Sequence, residues 1–213
     1  MTSPPRETLA KSTVKPTRPR GRPMKARPKL LEAAISEFAE HGFDGTSTMA
    51  IARRARTTQP LIHHHFGSKE ELFRAVLDTL FEELRAALLG PDDKPDPPVE
   101  ILYRFIRFTA RRPELARIWM IESARRGPRS KYVIEKHIGP LTALMRPLVR
   151  AAVKQGLLPK VDEMMLLYAL QGLANYPFLV TEQVRRLSDE DARSTEFAQR
   201  YADTVLMILG LRR

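Results

Sequence analysis

Four basic side chains and no acidic ones lie within the 24 residues from 46 to 69: Arg53, Arg54, Arg56 and Lys69. Basic side chains at the flanks of two short helices can hold the phosphates of a nucleic acid. Polar side chains between them can hydrogen bond to the edges of bases. Charge runs of this size also occur on ordinary surface helices, so these residues alone leave both interpretations open.

The run "HHH" at 63–65 is the only candidate for a metal site. Adjacent side chains on a helix point about 100° apart, so three consecutive histidines cannot bind one ion together. We therefore predict no metal and no cofactor. Because a glycine-rich phosphate loop, a nucleophile elbow and a His-x-x-x-His spacing are also missing from the sequence, we predict no catalytic residue and no enzyme.

The segment "RPRGRP" at 18–23 is a further candidate for contact with DNA, because its core resembles an AT-hook. Its glycine allows the backbone to approach DNA closely, and its prolines favour an extended path. Arg18, Arg20 and Arg22 can then enter the narrow minor groove of A·T-rich DNA. A basic tail that contacts only phosphates is the alternative. Residues 1–28 contain few large apolar side chains, so we expect them to be disordered until bound.

The charge distribution favours a polyanionic partner. Residues 1–29 contain nine basic residues and one acidic residue, which leaves +3 of the net charge of +11 for the rest of the chain. A basic tail on a nearly neutral body is typical of proteins that bind nucleic acid. We find no signal peptide and no apolar run near the roughly 18 residues of a membrane span. We therefore expect a cytoplasmic protein that does not contact membranes.

These side chains must be positioned by helices, because apolar residues recur at helical spacing from Leu30 onward. We predict an all-α fold with about nine helices. The two short helices within 46–69, joined by a tight turn, have the layout of a helix-turn-helix, whose second helix enters the major groove of DNA. Further helices are expected near 98–111, 113–125, 131–155, 162–180 and 189–211. Ser188 and Asp191 should form a capping box at the start of the last of them.

The segment "LLEAAISEFAEHGFDGTSTMAIARRARTTQPLIHHHFGSKEELFRAVL", residues 30–77, resembles the DNA-binding domain of the TetR family of bacterial transcription regulators. The resemblance rests on an ordered set of markers: "FAEHGF", "TST", "IA" and "HFGSKEEL". It implies a homodimer that binds a pseudo-palindromic double-stranded DNA operator and a small-molecule effector, most often as a repressor. The DNA-contacting residues that it implies are Thr48, Thr58, Gln59, Pro60, Leu61, His63, His64 and Lys69.

The resemblance also divides the chain into three parts. Residues 1–28 form the basic arm, 29–75 the helix-turn-helix domain, and 76–213 a larger helical domain for ligand binding and dimerisation. Three positions depart from the family pattern, since Arg56 replaces a frequent glycine, Thr57 a valine, and His63 a tyrosine. The sequence therefore does not determine the shape of the turn. Nor does it determine whether His63 makes the phosphate contact that tyrosine makes in the family.

Polar side chains among apolar neighbours in the C-terminal part are candidates for an effector site: Trp119, Glu122, Tyr132, His137, Tyr168, Gln171 and Asn175. The last three share one helical face, which can line a ligand cavity or lie in a dimer interface. The alternative function is an architectural protein that coats A·T-rich DNA without responding to a ligand. A helical domain of this size exceeds what coating requires, so we favour a ligand-responsive regulator.

Overall fold

The computed structural model describes residues 26–89 and 97–211. Three segments lie outside this description: 1–25, 90–96 and 212–213. The AT-hook-like segment 18–23, with Arg18, Arg20 and Arg22, falls in the first of them. Its predicted contact with the minor groove therefore stays a prediction.

The first four helices have the layout expected of a helix-turn-helix unit: α1 Ala26–Gly45, α2 Thr48–Arg54, α3 Gln59–Phe66 and α4 Lys69–Leu88. Gly42 has φ 69° and ψ 176°, which interrupts the regular helix and bends the end of α1. Ser47 caps α2 and Ser68 caps α4, because each hydroxyl accepts a hydrogen bond from a backbone amide one turn later.

The apolar side of α4 forms the centre of the first hydrophobic core. All eight residues of its apolar stripe are buried: Leu72, Phe73, Val76, Leu77, Leu80, Phe81, Leu84 and Leu88. Ile51 of α2 and Ile62 of α3 pack into the same core and are fully buried. The polar sides of these two short helices therefore face outward. The domain boundary predicted at 75/76 lies within α4, which is continuous there.

The remaining described elements are seven α-helices and one π-helical segment: α5 Pro98–Arg111, α6 Pro113–Ser123, α7 Pro128–Val133, the π segment Ile134–Ile138, α8 Gly139–Lys154, α9 Glu163–Leu179, α10 Thr181–Ser188 and α11 Thr195–Ile208. The all-α prediction is confirmed. Prolines occupy the first turns of α5, α6 and α7, where a missing backbone N–H costs nothing.

The helix predicted over 131–155 is interrupted by the π segment. This segment ends directly before Gly139 and Pro140, and a proline cannot donate the backbone hydrogen bond that a regular α-helix requires. Pro147 lies inside α8. The interruption beside Pro140 is therefore a local change of helix type.

The prediction for the C-terminal end was wrong in one respect. Ser188 does not begin the last helix but ends α10, and its hydroxyl donates to the backbone carbonyl of Val184. Asp189 then adopts a left-handed conformation (φ 56°), and Ser194 caps α11 by accepting from the amide of Phe197. Because α10 has no buried residue, it lacks the apolar stripe by which the other helices were recognised.

A second hydrophobic core joins α5, α8, α9 and α11. Residues of α5 to α7, among them Phe108, Leu115 and Val133, also pack into the first core, so the helix-turn-helix unit rests directly on the C-terminal helices. None of the helices within the described ranges is both long and apolar enough to cross a membrane.

Candidate DNA-binding surface and ligand cavity

The outer side of α3 exposes the polar residues predicted to contact DNA. Thr58, Gln59 and Pro60 begin the helix in exposed positions, and His63 and His64 continue the exposed surface one turn later. Leu61 is half-buried and packs against the first core. Since Ile62 and Phe66 are buried beneath them, the exposed side chains stand on a fixed base. The structure thus brings the predicted α3 residues together on one accessible surface.

A hydrogen bond links the two helices of this unit. The side-chain amide of Gln59 donates to the hydroxyl of Thr48, with 2.9 Å between nitrogen and oxygen. Both residues were predicted to contact DNA, and the bond holds the start of α3 beside the start of α2. The carbonyl oxygen of the Gln59 amide is not used in this bond, so the side chain keeps acceptor capacity for a base edge.

Arg54 has a structural role that its sequence position did not reveal. Its guanidinium forms two hydrogen bonds to the Glu40 carboxylate, at 2.8 and 2.6 Å, and an ion pair with Glu37 at 2.9 Å. The hydrogen bond from Arg54 lowers the pKa of Glu40. Arg54 therefore ties α2 to α1, whereas Arg53 and Arg56 are exposed and form no ion pair with another described residue.

Lys69, the first residue of α4, is partly buried rather than free in solvent. Its ammonium lies 4.2 Å from the centre of the Phe43 ring, a cation–π distance. Burial lowers the pKa of Lys69, with a smaller contribution from the positive charge of Arg129. The ammonium group is thus held near the N-terminal end of α4.

The three consecutive histidines have different surroundings, as helical geometry requires. His63 and His64 are exposed, whereas His65 is half-buried, its ring 6.4 Å from that of Phe66. His63 Nδ1 lies 2.9 Å from the Gly67 carbonyl oxygen and must donate, because a carbonyl only accepts. In the neutral ring Nε2 then has no proton to give to a phosphate.

Ion pairs connect the end of α1 with α6 and α7, a group that we call the α1–α6–α7 junction: Asp44, Glu122, Arg125 and Arg129. The carboxylate of Glu122 is 2% exposed and accepts from Nε of Arg129 at 3.1 Å. The same guanidinium donates to Asp44 at 3.3 Å and lies 4.2 Å from the centre of the Phe43 ring. Arg125 also pairs with Asp44.

A second ionic cluster joins α1 and α4 to the corner between α5 and α6. Arg112 donates to Glu32 of α1 at 2.9 and 3.0 Å and to Glu83 of α4 at 2.8 and 3.0 Å. The hydrogen bond to Glu32 is the largest cause of a raised pKa for Arg112. Both ionic clusters therefore attach the helix-turn-helix unit to the C-terminal helices.

A cavity of about 610 Å³ lies among α5, α6, the π segment, α8 and α9. This volume is within the ~300–1,000 Å³ that is usual for pockets enclosing small organic ligands. Most lining side chains are apolar, and five are polar: Ser123, Thr142, Arg146, Tyr168 and Gln171. Of the seven predicted effector residues, Trp119, Tyr168 and Gln171 line the cavity.

The other four predicted residues do not line the cavity and contact other parts of the protein instead. Glu122 belongs to the junction, and Asn175 lies close enough to the Thr109 hydroxyl for a hydrogen bond, 3.2 Å. Tyr132 donates to Asp78 at 2.8 Å, and Nε2 of His137 lies 3.0 Å from the same carboxylate. Burial raises the pKa of Tyr132 to about 12 and lowers that of His137.

The sequence has clear relatives. Residues 30–76 match the family model for bacterial regulatory proteins of the tetR family. The chain is 30% identical over 168 residues to the HTH-type transcriptional repressor SCO4008 of Streptomyces coelicolor, a span of 78% of this chain and 84% of the relative. This chain belongs to the TetR family. The transcriptional repressor NicS of Pseudomonas putida is a further relative, 27% identical over 89% of this chain and 93% of its own length.

Two solved structures share the fold. The transcriptional regulator SCO4942 of Streptomyces coelicolor superimposes with a TM-score of 0.63 at 23% identity, over 86% of this chain and 97% of that one. The structure of AibR in complex with isovaleryl coenzyme A and operator DNA superimposes with a TM-score of 0.66 at 19% identity, over 85% and 96% of the two chains. At these identities the likeness establishes the fold alone.

The turn of this TetR-family helix-turn-helix contains a backbone conformation that suits glycine better than its actual residue. Arg56 has φ 53°, in the left-handed region. The turn is closed by hydrogen bonds from the amides of Arg56 and Thr57 to Arg53 and Ala52. A side chain in the left-handed region costs roughly 1–2 kcal/mol. The turn is therefore formed with Arg56 in place of glycine, but the backbone at Arg56 is strained.

Exposed apolar side chains mark the outer faces of α9 and α11 in this TetR-family chain. Met165, Tyr168 and Tyr176 of α9 are more than half exposed. On α11, Met207 and Ile208 are 74% and 69% exposed. Ala169 and Gly172 lie between the exposed α9 residues, so a second helix can approach this face closely.

Proposed function

We propose that this TetR-family protein is a repressor that binds a pseudo-palindromic operator as a homodimer and is released by a small molecule in its cavity. The observation that carries the proposal is the exposed polar face of α3, held over the buried Ile62 and Phe66. A short helix of this kind can present side chains to base edges in the major groove. The cytoplasm is the place where such a protein would meet its operator.

In this proposal Gln59 and His64 contact base edges, together with Thr58, Pro60 and Leu61 at the start of α3. Lys69 and Thr48 contact phosphates at the flanks. The position of Lys69 supports this role, because the N-terminal end of a helix also attracts phosphate through its dipole. His63 can contact a phosphate through Nε2 only when its ring is protonated.

Dimerisation would place two recognition helices about one turn of DNA apart, ~34–36 Å, and would explain why the operator is pseudo-palindromic. The exposed apolar faces of α9 and α11 support this step, because patches of large apolar residues on a surface mark association sites. Paired α9 and α11 helices from two protomers would form a four-helix bundle that covers Met165, Tyr176 and Met207.

Release by an effector requires a connection between the cavity and the DNA-binding unit. Ser123 of α6 lines the cavity, and its neighbour Glu122 pairs with Arg129. Arg129 in turn contacts Asp44 and Phe43 at the end of α1. We propose that a shift of α6 on effector binding passes through these contacts and changes the separation of the two recognition helices.

AibR, which shares this fold, was solved with both operator DNA and an acyl coenzyme A. Relatives over most of the chain are named as repressors. These names favour a regulator over the alternative of a protein that coats A·T-rich DNA. A regulator should prefer its operator over random DNA by a factor of ~10³ or more at physiological salt, whereas a coating protein should bind both almost equally.

The experiment begins with genome-wide mapping of bound DNA, which identifies the operator. Gln59→Ala should then weaken operator binding by ~1–3 kcal/mol and relax the preference at one base pair. Gln183→Ala, at an exposed glutamine on α10, is the matched control and should bind like the parent protein. If Gln59→Ala changes neither the affinity for the operator nor the base preference, α3 is not the recognition helix.

A further inference from the structure

We propose that the effector is an amphipathic anion, with an apolar chain inside the cavity and an anionic oxygen headgroup on Arg146. The inference rests on the proposed function, since it names the class of ligand for the same cavity. The headgroup can be a carboxylate or a phosphate, because the guanidinium fork binds either in the same way.

The apolar chain follows from the walls of the cavity. Leucine, isoleucine, methionine and aromatic side chains form most of the lining, and no aspartate or glutamate is among the described residues that face it. An apolar chain gains free energy in proportion to the apolar surface that it removes from water. A ligand with a cationic group would find no carboxylate among these described lining residues to balance its charge.

The anionic headgroup follows from the charge of Arg146, which among the lining residues within 26–89 and 97–211 is the single lysine, arginine or acidic side chain. Its Nε donates to Glu163 at 3.2 Å, but Glu163 also accepts two hydrogen bonds from Arg150, at 2.6 and 3.0 Å. The hydrogen bonds from Arg150 and Arg146 lower the pKa of Glu163, so the carboxylate is ionised at neutral pH. Two guanidinium groups thus share one carboxylate, which leaves an excess of positive charge.

The terminal nitrogens of Arg146 remain available for a ligand. Neither forms a hydrogen bond to another residue within the described ranges, and the side chain is 48% exposed. Arg146 is therefore in contact with both the cavity and solvent. A headgroup bound there keeps part of its hydration while its chain is buried, as an amphipathic molecule requires.

An independent observation indicates that the cavity accommodates a ligand. The hydroxyl oxygen of Ser123 is buried and has no hydrogen-bond partner among the described residues. A buried polar atom without a partner is unfavourable, and such groups are uncommon in folded proteins. Because Ser123 lines the cavity, a bound molecule can reach this hydroxyl.

The test uses the full-length protein and its single tryptophan, Trp119, which lines the cavity and reports binding by fluorescence. Four probes each have a straight chain of ten carbon atoms, counting the carboxyl carbon of decanoate, and differ in the headgroup: decanoate, decyl phosphate, decanol and decyltrimethylammonium, all below their micelle concentrations. We expect at least one anionic probe to bind at least about tenfold more tightly than decanol and decyltrimethylammonium. The comparison of decanoate with decyl phosphate identifies the headgroup.

Arg146→Met retains much of the aliphatic stem but removes the charge, and should reduce the preference for the anion over decanol to less than about threefold. Arg150→Met is the matched control, because Arg150 pairs with the same carboxylate but does not line the cavity. It should keep the preference. Circular dichroism of both variants verifies that they are folded.

Equal binding of decanol and both anions, tighter binding of the cationic probe, absence of binding by all four, or an unchanged preference in Arg146→Met would each overturn the inference. Operator binding is measured on the same preparation. A protein that binds its operator specifically but shows no anion preference contradicts only the ligand class. A protein that prefers the anion but binds random DNA as well as any operator contradicts the proposed function instead.

Discussion

Removing the charge of Arg129 from the α1–α6–α7 junction should lower the free energy of unfolding more than removing the charge of Arg125 from the same junction. In Arg129→Met an apolar side chain remains over Phe43, but the carboxylate of Glu122, 2% exposed, loses the guanidinium at 3.1 Å. Loss of one partner of a fully buried pair costs about 3–5 kcal/mol. Because Arg129 is itself 26% exposed, solvent screening should reduce the loss to about 2–3 kcal/mol.

A double-mutant cycle separates the ion pair from other effects. Glu122→Gln removes the buried charge with little change of shape and leaves Arg129 paired with Asp44, so it should cost about 1 kcal/mol. In the Glu122→Gln background, adding Arg129→Met no longer strands a carboxylate. The coupling free energy between the two positions should therefore be about 1–2 kcal/mol, within the range for residues in direct contact.

The assay is urea unfolding at pH 7, followed by circular dichroism, with the slope of each transition compared among the variants. Arg125→Met is the matched control: among the described residues Arg125 pairs only with the exposed Asp44, so this variant should cost less than about 1 kcal/mol. The reasoning fails if Arg129→Met costs no more than Arg125→Met, or if the free-energy changes of the two single variants simply add in the double variant.

Two further predictions concern the DNA-binding unit. Replacing Arg56, which has φ 53°, by glycine should raise the free energy of unfolding by about 0.5–1 kcal/mol, whereas Arg56→Ala should not; equal stability of both variants in urea would show that the turn is unstrained. Deleting residues 1–24 should lower operator affinity and also abolish a preference for A·T-rich over G·C-rich flanking DNA. Equal loss of affinity on both kinds of flank, in binding titrations at one salt concentration, would leave only a phosphate-binding tail.

Patterns that repeat along one helix could be predicted from the sequence. The all-α fold was recognisable because apolar residues recur at spacings of three and four, as those of α4 do. The predicted helix bounds 98–111 and 113–125 also agree with the starts of α5 and α6, where proline is tolerated in a first turn. The helix-turn-helix layout was also predictable, because its caps and its short helices are local features.

Contacts between distant residues could not be predicted in this way. Arg54 was counted among the basic residues available for DNA, yet its carboxylate partners lie 14 and 17 residues earlier, on α1. A charge count over 46–69 does not include Glu37 and Glu40, so nothing in that segment indicated that Arg54 forms ion pairs. Lys69 and Arg129 likewise approach the same aromatic ring from helices far apart in sequence.

The cavity and its connection to the DNA-binding unit depend on both kinds of information. Trp119 and Ser123 are four residues apart on α6, so they lie on one side of the helix, and both line the cavity. Glu122 points about 100° away from Ser123 and meets Arg129 instead. Helical spacing alone shows that Ser123 and Glu122 point in different directions. Only the packing of α6 shows that one direction leads to the cavity and the other to Arg129. One turn of this helix therefore contacts the cavity on one side and the end of α1, through Arg129, on the other.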